Sequence, residues 1–87
     1  MRKTYHAILR EHFHVHLFHT RITLALTQSE MAEKLYMDDR SYSDLDNGKS
    51  CCSAVTLALY LVYVCEDVIG FIEELRNAFA AGTENAA

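Results

Sequence analysis

Three histidines, His12, His16 and His19, stand at i, i+4 and i+7, a spacing that would line imidazoles along one face of a helix, where they could hold Zn²⁺ or Ni²⁺. No cysteine or carboxylate lies at a sensible spacing from them. They therefore read as partly buried or solvated histidines, with no metal and no cofactor expected. If they cluster, they make this segment pH-sensitive near about 6.5. A second polar set, Asp38, Asp39, Arg40, Ser41, Ser43 and Asp44, falls within one short segment. Its chemistry suits reading of base edges: an arginine can donate to both O6 and N7 of guanine, and an aspartate can accept from N4 of cytosine. The rest of the inventory is bland. Cys51, Cys52 and Cys65 make an odd number, an adjacent pair forms no zinc half-site, and reduced thiols are expected. Cys65 has no obvious histidine partner, Glu73 and Glu74 read as a solvated face, and no nucleophile, acid/base pair or phosphate loop stands out. An enzyme is not expected.

The elements that must carry these residues are helical. The chain contains no proline, and its three glycines, Gly48, Gly70 and Gly82, all fall late. From Thr4 to about Leu24, the residues Tyr5, Ile8, Leu9, His12, Phe13, His16 and Leu17 mark one helix face. Within that stretch His12 to Leu17 also alternates polar and apolar, as a strand would, but no second strand is visible to pair with it. Thr27-Gln-Ser-Glu30 is a capping box that opens a helix to about Leu35. Asp38 can cap a second short helix, and Asn47-Gly48 supplies a left-handed stop. Ser53 should open a helix through Val64, and Asp67 a last one whose face is Val68, Ile72, Leu75 and Phe79, ended by Gly82. The spacing turns Met31, Ala32 and Leu35 inward on one short helix and Tyr42 and Leu45 inward on the next. Small Ala32 permits a close crossing, and the second helix then offers its polar face outward to a major groove.

Residues 26 to 49 run Leu-Thr-Gln-Ser-Glu-Met-Ala-Glu-Lys-Leu-Tyr-Met-Asp-Asp-Arg-Ser-Tyr-Ser-Asp-Leu-Asp-Asn-Gly-Lys. This resembles the XRE (lambda-repressor-like) helix-turn-helix family, whose pattern is Leu-Thr-Gln-x-Glu-Leu-Ala, a turn, and a recognition helix closing on Glu-Asn-Gly-Lys. The resemblance covers roughly residues 17 to 75. It implies an all-α, five-helix lambda-repressor-like domain with an extended N-terminal helix. Gln28, Ser29, Lys49 and the amides around Gly48 match phosphate-contacting positions of the family, and Asp39, Arg40 and Asp44 match base-reading ones. With Ser41 and Ser43 they make up the expected DNA-binding set. The resemblance also implies an ion pair between Arg21 and Asp46, and it places Tyr36 where the family usually has a glycine in the turn. Val55, Leu59 and Val62 occupy commonly polar positions. They form an added apolar stripe, expected to be covered either by the N-terminal helix (Tyr5, Ile8, Leu9) or by a second copy in a homodimer.

Composition bounds the function. Half of the 87 residues are apolar, which suits one small folded domain, expected over residues 1–82 with a flexible tail over 83–87. The net charge is −4. Through Leu35 the chain carries five basic and three acidic residues, and from Tyr36 onward three basic and nine acidic. Overall charge therefore works against non-specific nucleic-acid affinity, so contact with double-stranded DNA must come from local geometry. The longest apolar stretch, Ala54 to Cys65, is 12 residues, too short to span a bilayer, and no signal-peptide core is seen, so a cytoplasmic protein is expected. The expected function is a sequence-specific DNA-binding transcriptional regulator. The alternative is a protein-interaction or oligomerisation module that keeps the scaffold without DNA affinity.

Overall fold

A computed structural model describes the backbone of residues 2–86 and the side chains of residues 2–82. Helix α1 spans Arg2–Thr23, so the alternating His12 to Leu17 stretch is helical, and no strand occurs among the described residues. Phe13 and Leu17 are buried, and Ile8, Leu9, His12 and His16 are half-buried on the same side. Helices α2 (Gln28–Lys34) and α3 (Asp39–Asp46) follow, each with its expected cap. The Thr27 hydroxyl accepts from the Glu30 amide at 3.1 Å, and the Glu30 carboxylate accepts from the Thr27 amide at 2.9 Å. The Asp38 carboxylate accepts from the Ser41 amide at 3.0 Å.

Helix α4 (Ala54–Leu59) is capped by Ser53. It does not run to Val64 as a uniform α-helix. Tyr60–Val64 is a π-helical turn, closed by the Cys65 amide on the Tyr60 carbonyl at 2.8 Å. Helix α5 (Val68–Ala86) begins at Asp67, whose carboxylate accepts from the Gly70 amide at 2.9 Å. Its backbone passes through Gly82 instead of stopping there. Gly82 therefore does not terminate the helix, and it lies against the tip of the Ile8 side chain of α1. The expected flexibility over 83–87 falls outside the residues whose side chains are described.

Three helices close in the same way. After α1 the Leu26 amide reaches the Arg21 carbonyl and the Ala25 amide reaches Ile22. After α2 Met37 reaches Ala32 and Tyr36 reaches Glu33, and after α3 Lys49 reaches Asp44 and Gly48 reaches Leu45. Each is a Schellman motif whose pivot is left-handed, at φ 56° for Ala25, 56° for Tyr36 and 75° for Gly48. Tyr36 thus keeps the backbone conformation that a glycine would hold. Gly48 is favoured on two counts, its left-handed φ and the His14 ring, which a Cβ there would approach to 3.1 Å.

The core comprises the inward residues expected of α2 and α3, namely Met31, Ala32, Leu35, Tyr42 and Leu45, joined by Phe13, Leu17, Tyr60, Val64 and Phe71. The face of α5 differs from expectation. Val68 and Ile72 are 38% and 46% exposed, whereas Phe71 is buried and sits among Phe13, Tyr60, His12 and His16. Aromatic partners on α1 and the π turn, including two imidazoles, rotate α5 toward Phe71. No described helix is long and apolar enough to cross a membrane.

Candidate nucleic-acid interface

The α2–turn–α3 unit is tied to α1 through one carboxylate. Arg21 Nε donates to Asp46 Oδ2 at 2.8 Å, and Gln28 Nε2 donates to the same oxygen at 2.9 Å. The Asp46 side chain is 1% exposed and that of Arg21 13%. Arg21 also donates through Nη1 to the Leu26 carbonyl at 3.2 Å and lies over the Phe18 ring. His14 Nδ1 donates to the Asp46 carbonyl at 2.5 Å. The start of α2, the end of α3 and the last turn of α1 therefore meet at one buried charged group. Beside it, Asp46 Oδ1 is buried without a hydrogen-bond partner among the described residues, and the Tyr42 hydroxyl is buried next to it. Burial, then the Asp46 carboxylate, pushes the Tyr42 phenol well above its ordinary range, so it stays protonated.

This anchoring sorts the residues expected to meet DNA. Ser29, Asp39, Arg40, Ser41 and Lys49 are exposed, and Gln28, Ser43 and Asp44 are half-buried. Neither Arg40 nor Lys49 forms an ion pair among the described residues, so both cations are open to an outside acceptor. The acids of the segment are less uniformly outward than their number suggests. Asp46 is sealed inside. Asp38 is engaged with the start of α3, where first the Ser41 amide holds its carboxyl below the usual range, and Asp39 accepts from Ser29 Oγ at 2.6 Å. Two side chains expected at phosphate, those of Gln28 and Ser29, thus each donate a hydrogen bond to an aspartate of the chain. Asn47 Nδ2 donates to Ser43 Oγ at 3.2 Å, which fixes that hydroxyl on the last turn of α3.

The apolar stripe on α4 divides. Val55 and Val62 are 68% and 71% exposed, but Leu59 is half-buried against the core. The stripe assumed an α-helical advance through Val62; the π turn at Tyr60–Val64 breaks that register for Val62, while Val55 and Leu59 share α4 and differ because Leu59 lies at its end against the core. The N-terminal helix is not its cover: Tyr5 meets the Phe79 ring edge-on at 4.9 Å, and Ile8 fits against Gly82, both on α5.

The histidines of α1 are also corrected by the fold. His16 Nε2 lies 2.7 Å from Glu74 Oε2, and His12 stacks obliquely on His16 with ring centroids 4.4 Å apart. The carboxylate missing from local spacing comes from α5, and Glu74 is not simply a solvated acid. His19 stands outside this group. Desolvation, then the neighbouring His16, lowers the affinity of His12 for a proton, against the opposing pull of the Phe71 carbonyl and Glu74. No sequence signal links residues 58 positions apart, so only folding reveals the pair.

No protein-family model, curated protein or solved structure matches this chain.

Proposed function

We propose that this chain binds double-stranded DNA sequence-specifically as a transcriptional regulator, reading base edges with the outer face of α3. The observation that carries the reading is the combination of a sealed Asp46 with an open Arg40 on the same helix. The buried carboxylate fixes α3 against α1 and α2, and the unpaired guanidinium projects where it can meet guanine O6 and N7. Lys49, exposed just past the end of α3 and without an ion pair among the described residues, supplies a phosphate contact. The resemblance of residues 26 to 49 to lambda-repressor-like domains supports the same assignment. A second copy joined over Val55 and Val62 would present two such helices to half-sites about one duplex turn apart.

Selection of bound sequences from a random DNA pool at low salt tests this reading. A single enriched motif is expected. Arg40→Ala should relax preference at one position by about 1–3 kcal/mol while leaving the fold intact. Absence of any enriched sequence would overturn it.

One observation favours the alternative of a protein-interaction module. Gln28 and Ser29 already donate to Asp46 and Asp39, and Asp39 and Asp44 present negative charge beside Arg40. Such a face suits a basic protein partner. A chain that selects no DNA but binds a basic polypeptide through α3 would decide for this reading.

A further inference from the structure

We infer that His12, His16 and Glu74 form a binding site for a Zn²⁺-class divalent transition metal, bridging α1 and α5. One ligand atom from each residue lies within 4.8 Å of the other two. Two of the ligands are one helical turn apart on α1 and the third comes from α5, so the donors converge from two packed elements. The site lies outside the set expected to meet DNA.

The surroundings are those of a prepared ligand set. His12 Nε2 lies 3.1 Å from the Phe71 carbonyl, which can only accept, so this nitrogen carries the proton and Nδ1 keeps the lone pair. A backbone carbonyl holding the other nitrogen of a ligating imidazole is the usual outer support of a metal site. Phe71 is itself buried, and both rings pack on it at centroid distances of 4.7 and 4.9 Å. Ligand atoms around a tetrahedral zinc stand roughly 3.3 Å apart, given bonds of about 2.0–2.1 Å. Closing from the present spread requires the His16–Glu74 hydrogen bond to open. The Glu74 side chain is 63% exposed, which leaves it free to move that far.

Two imidazoles select against Mg²⁺ and Ca²⁺, which prefer all-oxygen shells, and favour late first-row ions. Two nitrogens and one carboxylate fill three positions. The fourth opens on the cleft between the helices lined by Ile8, Glu11, Val15 and Ala78. Bound metal would therefore clamp α1 to α5 and keep one exchangeable position.

The test uses the full chain, freed of metal with a chelator and then titrated with Zn²⁺ or Co²⁺ near neutral pH. One ion per chain is expected, with a raised melting temperature. Outer-shell partners alone are worth roughly 10–100-fold in metal affinity, so loss of a direct ligand in Glu74→Gln or His16→Gln should cost about 100-fold or more. Melting in chelator separates lost binding from lost folding. In the unsubstituted chain the imidazole resonances of His12 and His16 should shift with Zn²⁺ while those of His19 do not, whether or not the variants fold. A thiolate-to-cobalt charge-transfer band would place the ion on Cys51, Cys52 or Cys65 and overturn the assignment. So would a melting temperature indifferent to Zn²⁺, or binding unchanged in both variants.

Discussion

The α2–turn–α3 unit and the α1–α5 seam handle polar groups in opposite ways. In the first, a carboxylate is taken fully inside and matched by Arg21 and Gln28, so a charge that is costly to desolvate becomes the joint of three helices. In the second, His12, His16 and Glu74 stay at the rim of an aromatic cluster built on Phe71, half in water, and no charge is sealed. A sealed charge demands its partner. A rim group tolerates loss, and it remains available to protons and to metal. The largest expected effect follows from this contrast: Asp46→Ala should destabilise the fold by about 3 kcal/mol, because the Arg21 guanidinium is then left partly buried without its acceptor. For a domain of this size that lowers the melting temperature by on the order of 10–20 °C. The paired replacement Arg21→Met with Asp46→Leu should recover most of the loss. Coincident melting curves for the native chain and Asp46→Ala would erase the distinction between the regions.

The two regions also differed in how far they could be read from the sequence. The α2–turn–α3 unit is assembled from short-range signals. Thr27 and Glu30 cap each other across three residues, Asp38 meets Ser41 across three, and Gly48 marks its own turn, so the elements and their inward faces were legible. Arg21 and Asp46 were legible only through a resemblance, since 25 residues separate them. The seam was nearly silent. Val68, Ile72, Leu75 and Phe79 made the stronger-looking stripe on α5, yet Phe71 is the buried residue, because its ring partners Phe13, Tyr60, His12 and His16 come from α1 and the π turn and leave no trace in the periodicity of α5 itself. The π turn carried no local mark either, and it shifts Val62 out of register with Val55 and Leu59.

A smaller effect concerns the turns. Gly48 holds its left-handed conformation freely, whereas Ala25 and Tyr36 hold theirs with a Cβ, at roughly 1–2 kcal/mol for each L-residue in that region. Tyr36 is 83% exposed, so its ring contributes little packing in return. Tyr36→Gly should raise stability by about 0.5–1 kcal/mol, once the greater freedom of glycine in the unfolded chain is subtracted. Ala25→Gly at the end of α1 should do likewise. Urea unfolding checks both. A loss of stability in Tyr36→Gly would mean that the ring packs more firmly on the neighbouring Tyr63 than its exposure indicates.

The smallest effect separates the two regions by pH. In the folded chain burial, and secondarily His16, holds the His12 proton affinity below its ordinary value of 6.5, so between the folded value and 6.5 the unfolded chain binds more protons. Stability from this group is therefore complete above 6.5 and is lost as the pH falls through the folded value. The caps of α2 and α3 respond later. Hydrogen bonds from the Thr27 and Ser41 amides hold Glu30 and Asp38 below the usual carboxylate range, so their contribution persists until more strongly acid solution. Urea midpoints should thus fall first by a small step in mildly acid solution and again in strong acid. His12→Gln should flatten the first step and spare the second, because the glutamine amide can still donate to the Phe71 carbonyl but takes up no proton. A first step of full size in that variant would move the titration away from His12 and leave the seam without its pH response.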